Sequence, residues 1–225
     1  MLMISDLLDA SEVAAYREAL TRAQWQDGLV TAGSVSQSVK QNEQVTSQCE
    51  LGQALADKLR QRLSQHPLFI SAALPQSILR PRFNRYRNNG HYGLHIDSAI
   101  MASDDGKGLF RSDLSATLFL SDPDSYSGGE LSIDTGFGVQ EVKLPAGSLV
   151  LYATSRWHQV EPVTAGERVA AICWIQSLVA ADTQRELLFD LDQSIQRLQQ
   201  LAEARAEHRQ LTGVYNNLLR QWAIT

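Results

Sequence analysis

The chain has 225 residues, of which 44% are hydrophobic, and its 20 basic and 25 acidic side chains give a net charge of -5. This size is enough to bury one large core, or one domain with an appendage, and the acidic balance argues against nucleic-acid binding. Cys49 and Cys173 are too few for a disulfide framework or a thiolate zinc site, which predicts a reduced, cytoplasmic compartment. No signal peptide and no apolar run of membrane-spanning length is visible, so we expect no membrane association.

Two helices are predicted near the N-terminus. Asp9 is a candidate N-cap, and Glu12 completes a capping box, so the first helix is expected to begin here and to continue through Ala23 until Gly28 stops the pattern. A second helix is predicted from Ser47 to Gln65, because leucines recur along one stripe. These leucines are Leu51, Leu55, Leu59 and Leu63. The polar stretch from Val30 to Gln48 is interpreted as a loop with one edge strand.

From Ile78 onward the pattern changes to short β-rich runs separated by glycine and proline turns. Such spacing is typical of an all-β sandwich or barrel, and the lack of alternating helices argues against a doubly wound α/β fold. The predicted strands are Ile78–Tyr86, Tyr92–Asp97, Leu114–Leu120, Glu130–Ile133, Val139–Leu144, Ser148–Tyr152 and Arg168–Ser177. The stretch from Asp104 to Gly108 is interpreted as either a mobile lid or a plain exposed turn.

The last part of the chain is predicted to form two amphipathic helices. Apolar residues recur at three- and four-residue spacing from Leu188 to Ala202, and Gly213 is expected to interrupt the pattern before a second helix. A hairpin of this size cannot bury its own core, so we expect it to cap the β domain, to form a homodimer interface, or both. The chain is therefore divided into N-terminal helices and edge elements, a β core and a helical extension, at residues 1–77, 78–178 and 179–225.

The tripeptide His95-Ile96-Asp97 places two metal-binding side chains two residues apart. In an extended strand such residues point to the same face, so an imidazole nitrogen and a carboxylate oxygen would meet at one point. His158 is the downstream histidine in a plausible strand, and two histidines with one carboxylate form the ligand set of non-haem Fe(II) oxygenases. His-x-Asp alone is a weak signal, and a core histidine with satisfied hydrogen bonds is the competing interpretation of His158.

Arg168 and Trp174 strengthen the metal hypothesis. Arg168 begins the last predicted strand, where its planar fork would suit one carboxylate of a dicarboxylate co-substrate. Trp174 lies an even number of residues further on, so it shares that strand face and would wall the same pocket. A surface position for Arg168 becomes the less favoured interpretation. A separate basic cluster consists of Arg80, Arg82, Arg85 and Arg87. We interpret it as a solvated strand or as a source of attraction for an anionic substrate, rather than as a nucleic-acid-binding site.

These residues belong to an ordered series of motifs. The series consists of Arg85-Tyr86, Gly90, Tyr92, His95-Ile96-Asp97, Ser127-Gly128-Gly129-Glu130-Leu131, the run from Pro145 to Tyr152, the run from His158 to Thr164, and Gly166-Glu167-Arg168. In this order, from about Ile78 to Ser177, it resembles the prolyl 4-hydroxylase-like Fe(II)/2-oxoglutarate-dependent dioxygenases. With its length and helical tail, the chain is most similar to the bacterial PKHD-type hydroxylases.

The resemblance implies a mainly β fold with flanking helices: a double-stranded β-helix (jelly roll) with a C-terminal helical extension. It also implies Fe(II), 2-oxoglutarate and O2, with L-ascorbate as a helper that reduces iron. By position, His95, Asp97 and His158 would be the catalytic metal ligands. Arg168 would bind the distal carboxylate of 2-oxoglutarate, and Tyr86 would lie near this co-substrate. A further set is expected around the pocket or its substrate mouth: Tyr92, Thr117, Phe119 and Trp174.

The implied activity is hydroxylation of a substrate, coupled to decarboxylation of 2-oxoglutarate to succinate. The prolyl-hydroxylase resemblance suggests a peptide side chain, whereas an association of the family with iron uptake suggests a siderophore-like small molecule or a receptor. Two rival functions use the same ligands. One is a cupin-like metal hydrolase or isomerase, against which Arg168 argues, and the other is a non-enzymatic sensor of iron or of a chelate.

Overall fold

A computed structural model of the chain describes residues 1–31 and 39–224, which form seventeen strands and five α-helices. The helices are α1 (Ala10–Thr21), α2 (Glu50–Gln65), α3 (Pro67–Ala73), α4 (Asp182–Gln199) and α5 (Arg205–Trp222). Within the described ranges, no helix combines the length and the apolar character needed to cross a bilayer.

The larger sheet is antiparallel and is organised around one long strand. Its strands, in sheet order, are β1 (Leu2–Ile4), β14 (Leu149–Ala153), β10 (Leu114–Phe119), β17 (Arg168–Ser177), β6 (Arg82–Tyr86), β4 (Glu43–Val45) and β2 (Trp25–Asp27), with β5 (Pro75–Ile78) also paired to β17. β17 has the bounds predicted from the sequence, and it pairs with β10 on one side and with β6 and β5 on the other.

The smaller sheet faces the larger one. Its strands, in sheet order, are β13 (Val139–Val142), β12 (Leu131–Asp134), β15 (His158–Val160), β7 (His91–His95) and β3 (Lys40–Gln41). Two ribbons complete the β structure: β8 (Ile100–Ala102) with β9 (Leu109–Arg111), and β11 (Tyr126–Gly128) with β16 (Val163–Gly166). The two facing sheets form the double-stranded β-helix expected from the resemblance, which is confirmed.

Hydrophobic cores lie on both faces of the larger sheet. On the outer face, Tyr16 of α1 and Leu59 of α2 pack in one cluster with Leu118 of β10. On the inner face, Val150 of β14 shares a cluster with Ile133 of β12. The protein therefore has three layers, which are helices, larger sheet and smaller sheet. Inward-pointing side chains of the two facing sheets that do not belong to the inner core line the remaining space between the sheets.

The first helix begins as the sequence predicts. The Asp9 carboxylate accepts a hydrogen bond from the Glu12 amide at 2.8 Å, and the Glu12 carboxylate accepts one from the Asp9 amide at 3.0 Å. This reciprocal pair satisfies backbone donors that the helix itself cannot pair.

Other predicted bounds near the N-terminus are wrong. Helix α1 ends at Thr21, because the residues after it pair with β4 as a strand. Pro67 opens a third helix, α3, which the sequence does not predict; a proline fits the first turn of a helix, where its missing N–H costs nothing. Of the predicted loop from Val30 to Gln48, residues 32–38 lie outside the described residues, and the rest contains β3 and β4 instead of one edge strand.

Two predicted strands have different bounds in the structure. The strand predicted from Ile78 to Tyr86 is two strands, β5 and β6, separated by a segment with Pro81, which has no N–H to donate to a sheet. Strand β7 ends at His95, so Asp97 lies just beyond it. The stretch from Asp104 to Gly108 belongs to the connection between β8 and β9, two strands of three residues that the sequence reading misses.

The predicted break at Gly213 is also wrong. Helix α5 runs through Gly213, and the break between the last two helices lies earlier, near Leu201. One glycine in a helix costs only about 1 kcal/mol relative to alanine. The two helices pack against Leu74 through a cluster that includes Leu188 and Trp222. The free energy gained by burying these apolar side chains exceeds the cost of the glycine.

Candidate metal centre

A cavity of about 300 Å³ lies between the two sheets, and the predicted metal ligands line it. His95 ends β7 and His158 begins β15, and these two residues are direct partners across the antiparallel pair. The register shifts between His158 and Val160, which is a local irregularity of the kind that re-aims side chains beside functional sites. Strand pairing thus brings together two histidines that are far apart in the sequence.

The three predicted ligands converge on one point. Nε2 of His95 lies 3.7 Å from one carboxylate oxygen of Asp97, and Nε2 of His158 lies 3.6 Å from the other. One ligand atom from each of the three side chains lies within 4.8 Å of the other two. This spacing suits a shared cation, because nitrogen and oxygen ligands bind first-row metals at about 2 Å.

Backbone hydrogen bonds fix the orientation of both imidazoles. Nδ1 of His95 lies 2.7 Å from the carbonyl oxygen of Gly93, and Nδ1 of His158 lies 2.9 Å from that of Arg156. A carbonyl oxygen can only accept, so each Nδ1 carries the proton and each Nε2 presents a lone pair to the site. Burial, together with the neighbouring His158, lowers the pKa of His95 to about 4, which keeps this ring neutral at physiological pH.

The Asp97 carboxylate is held by two neighbours on the larger sheet. Its Oδ2 accepts a hydrogen bond from Ser115 Oγ at 2.8 Å and another from Trp174 Nε1 at 2.9 Å. Ser115 and Trp174 are themselves partners across β10 and β17. These two donors orient a carboxylate that lies beyond the end of its own strand, and they leave Oδ1 available for a metal.

Replacing Trp174 with phenylalanine is expected to weaken Fe(II) binding by roughly 10- to 100-fold, the usual cost of losing a hydrogen bond to a metal ligand. The aromatic ring remains, so the pocket wall is largely kept while the N–H donor is lost. Anaerobic Fe(II) titration would measure the affinity. Trp222→Phe, in α5, is the control and should bind Fe(II) like the unchanged protein. An unchanged affinity in Trp174→Phe would show that this hydrogen bond does not support the metal site.

Arg168 is a buried cation at the inner end of the cavity. The residue is only 1% exposed, and its Nε and Nη2 have no hydrogen-bond partner among the described residues. Its guanidinium carbon lies 5.3 Å from the Tyr86 ring centroid and 5.2 Å from that of Phe119. A buried charge without hydrogen bonds is costly, so this geometry indicates a site that an anion completes.

Gly129 makes room for Arg168. A Cβ at this position would lie 3.0 Å from Cδ of Arg168 and 2.8 Å from the Val163 side chain, and the backbone φ of +69° is itself unfavourable for other residues. Packing beside the Arg168 side chain therefore explains Gly129, whereas Gly128 is required because a Cβ there would lie 2.0 Å from the Pro162 carbonyl oxygen.

The remaining predicted site residues differ in their position relative to the cavity. Tyr86 and Thr117 line the cavity, whereas Phe119 lies under Arg168 and is not part of the wall. Tyr92 stacks on His95, with ring centroids 3.6 Å apart and planes 15° apart. Trp174 lines the cavity but also donates a hydrogen bond to Asp97, a role that its strand position alone does not indicate. The catalytic roles assigned to these residues stay predictions.

Other residues at the site are missing from the sequence prediction. Ser115 could have been found, because it lies two residues before Thr117 on the same strand face. Tyr152 lies edge-on to His158, with centroids 5.2 Å apart, and burial raises the pKa of its hydroxyl. Lys40 lines the cavity from β3, a strand too short to give any periodic signal.

These side chains fit Fe(II) and a dicarboxylate. Two imidazole nitrogens and one carboxylate oxygen converge, and no described cysteine belongs to this cluster, which is the donor set expected for iron in oxygenases. The unpaired, buried fork of Arg168 in the same cavity matches the geometry of a carboxylate. The described side chains therefore fit both the metal ion and the dicarboxylate that the sequence motifs imply.

Comparisons with known proteins point in the same direction. The sequence matches the 2OG-Fe(II) oxygenase superfamily over residues 81–176 and the PKHD-type hydroxylase C-terminal domain over residues 182–223. A PKHD-type hydroxylase from Teredinibacter turnerae is 53% identical over 226 residues, which is 99% of each chain.

Two solved structures share the fold at low sequence identity. A prolyl hydroxylase from Trichoplax adhaerens, in complex with a hypoxia inducible factor peptide fragment, is 16% identical with a TM-score of 0.54, and the match covers 83% of this chain and 86% of that one. HygX from Streptomyces hygroscopicus, with nickel, 2-oxoglutarate and hygromycin B bound, is 15% identical with a TM-score of 0.54, and the match covers 76% and 80% of the two chains.

Proposed function

Because the chain belongs to the PKHD-type hydroxylases of the 2OG-Fe(II) oxygenase superfamily, we propose that His95, Asp97 and His158 bind its Fe(II) and that Arg168 binds its 2-oxoglutarate. As a member of this family the protein is a 2-oxoglutarate-dependent dioxygenase that uses Fe(II), 2-oxoglutarate and O2, and ascorbate is typical for the family. The observation that carries the residue assignment is the convergence of three ligand atoms within 4.8 Å, in the cavity that also holds an unpaired guanidinium.

The chain prepares this chemistry by orienting groups around the cavity. When bound, iron with 2-oxoglutarate and O2 supplies an oxidation in which one oxygen atom enters the substrate and the other enters succinate, with loss of CO2. The backbone carbonyls of Gly93 and Arg156 hold the two imidazoles in the metal-binding tautomer. Arg168 fixes one end of the co-substrate, and the packed walls around it keep bulk water out.

The substrate is proposed to be a peptide side chain or a siderophore-like small molecule, with a link to iron uptake. Support for the two classes is similar. The prolyl hydroxylase neighbour holds a peptide fragment, and HygX holds the small molecule hygromycin B. A cavity of about 300 Å³ that must also contain the co-substrate leaves room for only a small part of either substrate.

The proposed function is tested by adding Fe(II) and then 2-oxoglutarate to the protein without O2, and by admitting O2 afterwards. We expect the visible absorption of an Fe(II)–keto acid chelate, followed by formation of one succinate for each 2-oxoglutarate consumed. A chelator added at the start should prevent both signals. Turnover of a substrate without the keto acid would instead favour a metal hydrolase or isomerase, and the absence of any O2 consumption would favour an iron sensor.

The remaining expectations about the whole chain stay proposals. We propose that residues 78–178 form the dioxygenase core, that residues 1–77 and 179–225 support it, and that the protein acts in the cytoplasm. A homodimer through the C-terminal helices is supported by apolar side chains that remain partly exposed there, such as Leu187 and Val214.

A further inference from the structure

One arginine of the basic group around β6 differs from its neighbours. Arg80 forms an ion pair with Asp57 at 3.1 Å, and Arg85 and Arg87 form ion pairs with Glu43 at 2.8 and 3.1 Å. These contacts explain three of the four arginines as charges paired at the surface. They do not involve Arg82, which is the first residue of β6.

Arg82 lines the cavity and is exposed at its mouth, with Asp104 as a neighbouring acidic charge. In the part of the chain that the structure describes, its side chain forms no ion pair and no hydrogen bond, and it lines the cavity. Its guanidinium carbon lies 5.2 Å from the centroid of the Trp174 ring, and the N–H of the same ring binds Asp97. A single indole ring thus separates this cation from the carboxylate of the metal site.

Lys40 adds a second cation to the same cavity. It is opposite Tyr92 in the pairing of β3 with β7, and its Nζ lies 5.1 Å from the Tyr92 ring centroid. The side chain is buried, and burial together with the nearby Arg82 lowers the pKa of Lys40 to about 8. Two cations from opposite sheets therefore face the same space.

The groups proposed to bind at the centre do not use these two charges. Among the described residues on the cavity wall, Asp97 is the one acidic side chain. Doubly charged iron together with Arg168 balances Asp97 and both carboxylates of 2-oxoglutarate. Arg82 is not part of this balance, and its guanidinium at the cavity mouth can attract a further anion.

We propose that Arg82 and Lys40 bind an oxyanion group, a carboxylate or a phosphate, on the substrate that this enzyme hydroxylates. The inference rests on the proposed function, since it places the group beside the Fe(II) and 2-oxoglutarate sites. The planar fork of Arg82 presents two N–H donors to such a group, and Lys40 contributes a point charge.

The rest of the cavity mouth defines the substrate further. Ile96, Ile100 and Met101 line it, and Ile96 and Ile100 are 42% and 54% exposed. Large exposed aliphatic side chains beside a cationic pair favour a ligand with both an apolar body and an anionic end. We therefore assign the substrate to amphipathic compounds or side chains in which an apolar segment lies next to the oxyanion.

The test uses phenylphosphate and phenylacetate as probes and benzyl alcohol as the neutral analogue. Binding to the anaerobic protein with Fe(II) and 2-oxoglutarate is measured by saturation-transfer NMR. We expect both anions to bind better than benzyl alcohol, and Arg82→Gln to weaken both by at least about tenfold, as for lost hydrogen bonds to charged groups. Arg82→Lys should keep part of the affinity. The stronger of the two anions identifies carboxylate or phosphate as the preferred group.

Arg87→Gln is the matched control, since it removes an arginine one residue beyond the same strand that is paired with Glu43. It should leave the affinity for both anions unchanged. Equal binding of the anions by Arg82→Gln and the unchanged protein, or no binding of either anion, would overturn the proposal. The anions could instead compete with 2-oxoglutarate and lose their binding only in Arg168→Gln. This result would place the anions on Arg168 and would also overturn the proposal. Failure of the unchanged protein to bind 2-oxoglutarate would instead refute the proposed function.

Discussion

Replacing His95 with alanine is expected to abolish Fe(II)-dependent formation of succinate from 2-oxoglutarate. His95 supplies one of only three converging ligand atoms, and no other described histidine, cysteine or carboxylate belongs to that cluster. The loss should be larger than the roughly 10- to 100-fold typical of residues that only support a ligand. Succinate measured with saturating 2-oxoglutarate, alongside a titration of Fe(II), would separate loss of metal from loss of turnover.

His91→Ala is the matched control for this experiment. His91 lies four residues earlier on β7, where its Nδ1 is 3.0 Å from the carbonyl oxygen of Asn89, and it is outside the metal cluster. We expect this variant to bind Fe(II) and form succinate like the unchanged protein. Full activity in His95→Ala, or equal losses in both variants, would refute the ligand assignment.

Replacing Arg168 with glutamine is expected to raise the dissociation constant for 2-oxoglutarate by at least about 30-fold. Losing one member of a buried, hydrogen-bonded charge pair costs about 2–5 kcal/mol, and about 1.4 kcal/mol corresponds to a factor of ten. Glutamine keeps a polar group of similar length but has neither the charge nor the fork. Fe(II) affinity should change little, because Arg168 is not one of the three metal-binding side chains.

Thermal unfolding provides an independent measurement for Arg168. Without 2-oxoglutarate its buried guanidinium is under-satisfied, so Arg168→Gln should not lower the melting temperature of the protein much. Added 2-oxoglutarate should raise the melting temperature of the Fe(II)-loaded protein, and this rise should be lost in the variant. A preserved rise in Arg168→Gln would show that the co-substrate carboxylate binds elsewhere.

The metal site was predictable from the sequence only in part. The two-residue period of a strand correctly groups His95 with Asp97, and the structure brings their side chains together. Strand β7 nevertheless ends at His95, so donors from the other sheet, Ser115 and Trp174, hold the Asp97 carboxylate. Hydrogen bonds between distant segments leave no periodic trace in a sequence, so the sequence pattern does not indicate the role of the Trp174 N–H.

The position of His158 shows the same limit. Periodicity predicts a strand near it but cannot choose its partner, and the pairing of His158 with His95 depends on the register of the smaller sheet. The ordered family motifs supplied that link. The arginines around β6 look equivalent in sequence, and only the positions of Glu43 and Asp57 separate the paired ones from Arg82. Local signals, such as the capping box at Asp9, predict the structure correctly because both partners lie within one turn.

The most direct test of the account is a crystal structure of the protein soaked with Fe(II) and 2-oxoglutarate without O2. Anomalous scattering at the iron edge would locate the metal, and the electron density would show the orientation of the co-substrate. We predict one iron peak between Nε2 of His95, Nε2 of His158 and the Asp97 carboxylate, with the distal carboxylate of 2-oxoglutarate on the guanidinium of Arg168. An iron peak away from these three side chains, or a co-substrate bound without contact to Arg168, would contradict the account.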